Sequence, residues 1–160
     1  MKPQPTGRID GNDLILTRKF RAPIEDVWTS ITESESCARW FARWEGDPGP
    51  GKTIRWQMTH EKGDSWTDVT IDRCDAPRHL AVTSQGPYAW SLELTLKQTG
   101  DTTEMTFVHH LTEKDKAMKG DIGTGWEYYL DMLAATRANA TLPVWDDYYP
   151  AQKQYYIDQG

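Results

Sequence analysis

The spacing of apolar residues changes period along the chain, and each change marks a structural element. "LILTRKF" (Leu14 to Phe20) is short, apolar and partly alternating, which predicts a strand. In the "RAPIEDVWTSI" that follows, Ile24, Val27, Trp28 and Ile31 share one helical face. Pro23 suits the first position of that helix, and Glu25 and Asp26 suit its positive end. "TESESCARWF" predicts a second short helix, with Thr32 and Glu35 spaced as a capping box.

After a Gly/Pro-rich loop the period becomes two. "TIRWQMTH" sets Ile54, Trp56 and Met58 on one side and Arg55, Gln57 and Thr59 on the other. Further strands are predicted in "SWTDVTIDRC", "LAVTS", "AWSLELTLKQ" and "TEMTFVHHL", with turns at Lys62-Gly63, Asp75 to Pro77, Gly86-Pro87 and Gly100-Asp101. From about Glu113 the pattern is helical. In "GWEYYLDMLAATRANATL", Trp126, Tyr129, Leu130, Leu133 and Ala134 form one apolar stripe, which Pro143 ends. Residues 1–12 predict a loose polar leader, 13–142 one domain, and 143–160 an aromatic, acidic tail. A strand, two helices, a run of short strands and one long helix give an α+β order. A curved antiparallel sheet wrapped around the last helix accommodates it.

Composition narrows the function classes. A chain of 160 residues, 38% hydrophobic and 26% charged, suits a single soluble globular domain. A net charge of -6 repels phosphate backbones and anionic lipid, so neither nucleic acid nor membrane insertion is expected. Cys37 and Cys74 are too few for a disulfide framework and are expected to be reduced thiols in a cytoplasmic protein. The start lacks a signal peptide's apolar stretch, and no segment has transmembrane length. Eight tryptophans and seven tyrosines stand against three phenylalanines. Such rings combine an apolar body with a polar handle and suit cavities and interfaces as well as cores.

"GDPGPGKT" (Gly46 to Thr53) spells a phosphate-binding loop. That loop needs a strand before it, a helix after it and converging backbone N–H groups. Here "CARWFARW" before it reads as helix and "TIRWQMTH" after it as strand, while Pro48 and Pro50 carry no N–H. The expectation is a helix-to-strand turn and no nucleotide.

Several segments, in their order along the chain, carry a resemblance. They are Ala22-Pro23, Val27-Trp28, Trp40-Phe41, the Gly-rich turn into a strand, "APRHL" (Ala76 to Leu80), "TEMTFVHH", and Gly125-Trp126 with Leu130 and Leu133. Over about Leu14 to Arg137 the chain resembles the bacterial AHSA1-like family of the START-like (SRPBCC, Bet v 1-like) superfamily. It departs at Arg73, where the family often has a carboxylate, and at Arg137, where it often has leucine. The resemblance implies a helix-grip fold with an apolar cavity between the sheet and the C-terminal helix. Superfamily members bind lipids, hormones or polyketides, and some catalyse cyclisation or dehydration.

The strand phases select the candidate ligand-binding residues. Trp56 and Met58, Trp90 and Leu92, and Phe107 and His109 lie on phases expected to face inward, opposite Tyr129 and Leu133 of the last helix. Around Asp68 to Arg73 both phases carry polar residues, and a bulge fits. His109 reads first as a satisfied core histidine and second as a polar handle or general base. No catalytic residue is assigned beyond that one weak candidate. His109 and His110 point to opposite faces, and His60 and His79 lack ligand spacing, so no metal is expected and no cofactor is assigned. The expected function is the binding of a small hydrophobic or aromatic molecule by a monomer or homodimer. The alternatives are a cyclase, dehydratase or hydrolase using the same cavity, and a chaperone-linked or other protein-interaction module.

Overall fold

Strands whose alternate residues are apolar can bury only one face, and here a single sheet collects all of those faces. The computed structural model describes residues 2–61, 63–86 and 89–159. Its strands are β1 (Arg8–Asp10), β2 (Asp13–Phe20), β3 (Ala42–Glu45), β4 (Thr53–Met58), β5 (Thr67–Asp75), β6 (His79–Ser84), β7 (Ser91–Thr99) and β8 (Thr102–His110). They form one curved, open antiparallel sheet in the order β1-β2-β8-β7-β6-β5-β4-β3. Helices α1 (Ile24–Thr32) and α2 (Ser34–Trp40) follow β2. A short α3 (Glu113–Lys116), the long α4 (Lys119–Ala138) and α5 (Lys153–Ile157) follow β8. The architecture is the α+β helix grip.

Register places the concave face. Leu14 pairs with His109 and Leu16 with Phe107, while Leu92, Leu94 and Leu96 of β7 pair with His109, Phe107 and Met105. These residues are buried against Trp126, Leu130 and Leu133 of α4. The phases predicted for β7 and β8 are therefore the inward ones. In β5, Val69 and Ile71 face inward, and the register shifts between Ile71 and Arg73, which is the bulge expected there.

Several expectations are corrected. Residues 8–10 are not loose: Asp10-Gly11-Asn12-Asp13 is a two-residue hairpin that adds β1 to the sheet edge, with Gly11 at φ 62. Ala42–Glu45 is strand rather than the end of a helix, because pairing with β4 overrides its local helical spacing. "GDPGPGKT" therefore joins two strands. Thr32 caps nothing: its hydroxyl donates to Trp28 O at 2.7 Å, α2 begins after Glu33, and the capping box lies at Thr112 and Asp115. The long helix α4 stops before Pro143, at Asn139 in the left-handed conformation (φ 54), and is followed by α5. Of the predicted turns, Lys62 and Pro87 lie outside the described residues.

Helix α4 buries a second face as well. The tail after it turns back through a 3-10 segment (Trp145–Asp147) into α5, which packs in the notch left by Gly120 and Gly123. A Cβ on Gly123 would lie only 2.4 Å from Cγ of the Tyr156 ring, a clash. Beneath that ring, Glu127 is 1% exposed and accepts hydrogen bonds from Thr6 N and Oγ1, Gly7 N, Arg18 Nη2 and Tyr156 OH. Arg18 reaches it because it shares the inward phase of Leu14 and Leu16.

Candidate functional site

The inward residues do not meet everywhere. Between α1–α2 and the six strands from β3 to β8 they leave an inner cavity of about 140 Å³. Trp40 and Phe41 close it from the α2 side, Trp56, Ile71, Val82 and Leu92 from the sheet, and Trp126 from α4. The β3–β4 loop contributes the Pro48 ring, so the segment that imitates a phosphate loop walls an apolar space. Gly46 is needed at the start of that loop: its φ is 127, and a Cβ there would lie 3.2 Å from the Ile54 Cα.

The cavity presents carbon almost throughout, and three of the four indoles in its wall spend their N–H groups elsewhere. The indole N–H groups of Trp40, Trp44 and Trp126 donate to Ser30 O at 2.9 Å, Thr32 O at 2.8 Å and His109 Nδ1 at 3.1 Å. The Cys37 thiol, also in the wall, is pushed up to about 12 by burial and by the charge of Glu33. Cys74 is raised by the same causes, burial first and then Asp75. Both shifts disfavour the nucleophilic thiolate at neutral pH.

His109 is wholly buried. Its Nδ1 accepts from Trp126, which fixes the proton on Nε2, and Nε2–H donates to Asp115 Oδ2 at 3.3 Å. Burial lowers its pKa and outweighs the charge of Asp115. Both ring nitrogens are engaged within the core, so the side chain holds Trp126 in place. Asp115 in turn caps α3 by accepting from Thr112 N at 3.1 Å.

A second space lies on the other side of Trp126. This outer cleft, about 600 Å³, runs between the β4–β5 and β6–β7 loops and the N-terminal half of α4, and Trp145 of the tail forms one wall. Tyr129 points here, and its hydroxyl donates to Glu61. Trp90 is here too, with its ring centroid 6.0 Å from that of Trp126.

The eight residues singled out by sequence thus separate. Trp56, Leu92 and Phe107 line the inner cavity, and Trp90 and Tyr129 line the outer cleft. Met58, Leu133 and His109 belong to the packed core around them. The reading missed Trp40, Phe41 and Trp44, although Trp40-Phe41 closed a predicted apolar helix face. It also missed Trp145, which stands in a segment without period. Arg73 is exposed and pairs with Asp75, while Arg137 ties α4 to α1 through Ser30 Oγ at 2.6 Å, so neither departure lies in a cavity wall.

On the convex face a chain of titratable groups crosses four adjacent strands. Asp13 binds His110 Nδ1 at 2.7 Å, His110 Nε2 binds Glu93 at 2.6 Å, and Glu93 binds His79 at 2.6 Å. Burial alone would lower the His110 pKa, but the hydrogen bonds and charges of Glu93 and Asp13 outweigh it and raise it. The raised value makes this stabilisation complete below 6.5, the unperturbed value, and lost as pH rises through the folded-state pKa. Glu93 is lowered: burial opposes the shift, and the bonds and charges of His110 and His79 prevail. Its share is present above 4.5 and lost at lower pH. In urea unfolding the wild type should therefore lose more stability from pH 6 to pH 8 than His110→Gln does, the opposite contribution of buried His109 being common to both. An equal slope in that variant would remove His110 as its cause.

The profile of the family described as "Activator of Hsp90 ATPase homolog 1-like protein" matches residues 21–138. The chain belongs to that family. No curated protein matches the chain. Among solved structures the family member resembles CalU16 from Micromonospora echinospora, with 24% identity over 94% of this chain and 92% of that one and a TM-score of 0.73. It also resembles the protein encoded by gene BPP1335 of Bordetella parapertussis, with 24% identity over 100% and 95% of the two chains and a TM-score of 0.79. DynU16, from the dynemicin biosynthetic locus, shares 17% identity over 82% of this chain and 49% of that one, with a TM-score of 0.69. These likenesses establish the fold. Among the described residues no group of three or more His, Cys, Asp or Glu could hold a metal ion, and no helix is long and apolar enough to cross a membrane.

Proposed function

We propose that this AHSA1-like protein binds a small apolar molecule in the inner cavity. The carrying observation is the cavity wall: about 140 Å³ lined almost wholly by carbon, with the indole N–H groups of Trp40, Trp44 and Trp126 turned to protein acceptors. Size then selects the ligand. An apolar cavity of about 150 Å³ takes benzene, whereas drug-sized ligands need about 300–1,000 Å³. The ligand, or the part of it held here, is one ring or a short branched alkyl group. The wall supports binding over catalysis, since His109 is engaged on both nitrogens and both thiols are held protonated.

Toluene titrated into the protein should bind saturably, with a Kd of about 1 mM or tighter, equivalent to roughly −4 kcal/mol. Val82→Phe, which adds a ring to the wall, should abolish binding while raising or preserving the unfolding temperature. Toluene binding unchanged in folded Val82→Phe would place the ligand elsewhere.

A further inference from the structure

The outer cleft differs in chemistry from the inner cavity, although Trp126 is a wall of both. Its rings form a continuous ribbon. Centroids run from Trp90 to Trp126 at 6.0 Å, from Trp126 to Tyr129 at 5.9 Å, from Tyr129 to Tyr128 at 5.5 Å, and from Tyr128 to Trp145 at 5.3 Å. Aromatic faces carry partial negative charge and attract cations, most strongly where water is excluded.

The charged groups bordering the cleft point the same way. Glu61 and Asp121 contribute carboxylates, and no lysine or arginine is among the described lining residues. Asp121 is paired with Lys153 at 3.3 Å. Glu61 has no ion-pair partner among the described residues. Tyr129 donates to it, and burial and the Glu61 charge together raise the Tyr129 pKa, keeping that donor protonated. His60 is also in the lining, and its Nε2 is bound to Arg39 O at 2.7 Å.

We propose that the outer cleft is a binding site for a small organic cation, an amine or quaternary ammonium group held over the aromatic ribbon and neutralised by Glu61. A cleft of about 600 Å³ accommodates such a molecule whole, without displacing Trp126. Trp145 lies beyond residues 21–138, so this wall belongs to the chain's own tail rather than to the span matched by the family profile. The site is independent of the inner cavity and stands whether or not that cavity holds a ligand.

The test compares choline with 3,3-dimethylbutan-1-ol, which has the same shape with carbon in place of the charged nitrogen. Binding is followed by tryptophan fluorescence and by indole N–H shifts in NMR spectra. Choline should bind saturably and at least about tenfold tighter than the alcohol, and more weakly as salt is raised. Glu61→Gln and Trp145→Ala, both at exposed positions, should each weaken choline by about fivefold or more, as expected for the loss of one charge or one ring. Val82→Phe, which fills the inner cavity, should leave choline binding unchanged, so failure of the inner-cavity reading is distinguishable from failure here. Equal affinity for the two probes, no saturable choline binding, or choline affinity untouched by both cleft variants overturns the proposal.

Discussion

Replacing Glu127 by alanine is expected to cost about 3–5 kcal/mol of folding stability, the range for removing one partner of a buried ion pair. The carboxylate satisfies Thr6, Gly7, Arg18 and Tyr156 at once, joining the N-terminal segment, β2 and α5 to the second face of α4. Its removal leaves the Arg18 guanidinium, 12% exposed, with Asp131 at 3.0 Å as its one anionic partner among the described residues. Glutamine is no substitute, because its amide N–H₂ would face donors on either side. Tyr156→Phe loses the bond to Glu127 and the one accepted from Gly7 N at 3.2 Å, leaves Gly7 N its bond to Glu127, keeps the ring against Gly123, and should cost only about 1–2 kcal/mol. Urea unfolding followed by circular dichroism checks both variants. A loss in Glu127→Ala no larger than that in Tyr156→Phe would show that the packed rings, and not the carboxylate, hold the tail.

Trp126→Ala should be comparably destabilising, by about 3–5 kcal/mol for truncating a buried aromatic ring. The indole packs 4.4 Å from Phe107 and 5.4 Å from Phe41, centroid to centroid. The variant also leaves His109 Nδ1 without its donor. The more informative outcome concerns ligand size. With the shared wall gone, the inner cavity and the outer cleft become one space, large enough for a bicyclic molecule such as naphthalene. Naphthalene should raise the unfolding temperature of Trp126→Ala and leave the wild type nearly unmoved, while Trp126→Phe, which keeps most of the wall, should behave as wild type. Equal responses of Trp126→Ala and the wild type would show that Trp126 does not divide the two spaces.

Together these expectations describe one helix used on two sides. Toward the sheet, α4 supplies Trp126, Leu130 and Leu133 and defines the apolar interior. Toward the tail, it supplies Gly120, Gly123 and Glu127 and holds α5 and the residues leading into β1. The inner cavity and the outer cleft lie where the first set stops filling the concave sheet.

The helix-grip architecture was legible in the sequence because its signals are local and periodic. The two-residue period of "SLELTLKQT" and "TTEMTFVHH" decided which side chains face inward, and the stripe from Trp126 to Leu133 decided which face of α4 meets them. The order of motifs from Ala22-Pro23 to Leu133 was sufficient to suggest the family.

What remained was decided by contacts between residues far apart in the chain. Ala42–Glu45 has helix-like spacing and is a strand because β4 offers it a ladder. Gly123 and Tyr156 give no periodic signal, yet the missing side chain of one receives the ring of the other. Glu127 reads as an exposed helical acid until Arg18 and the backbone at Thr6 and Gly7 converge on it. His109 could be placed on the inner face by period alone. Only the three-dimensional arrangement shows that Trp126 and Asp115 occupy its two nitrogens and turn a candidate base into a support for the cavity wall. Sequence period specifies the direction of a side chain. Its chemistry depends on which partners reach it, and that is settled only when the sheet curves and the tail closes over α4.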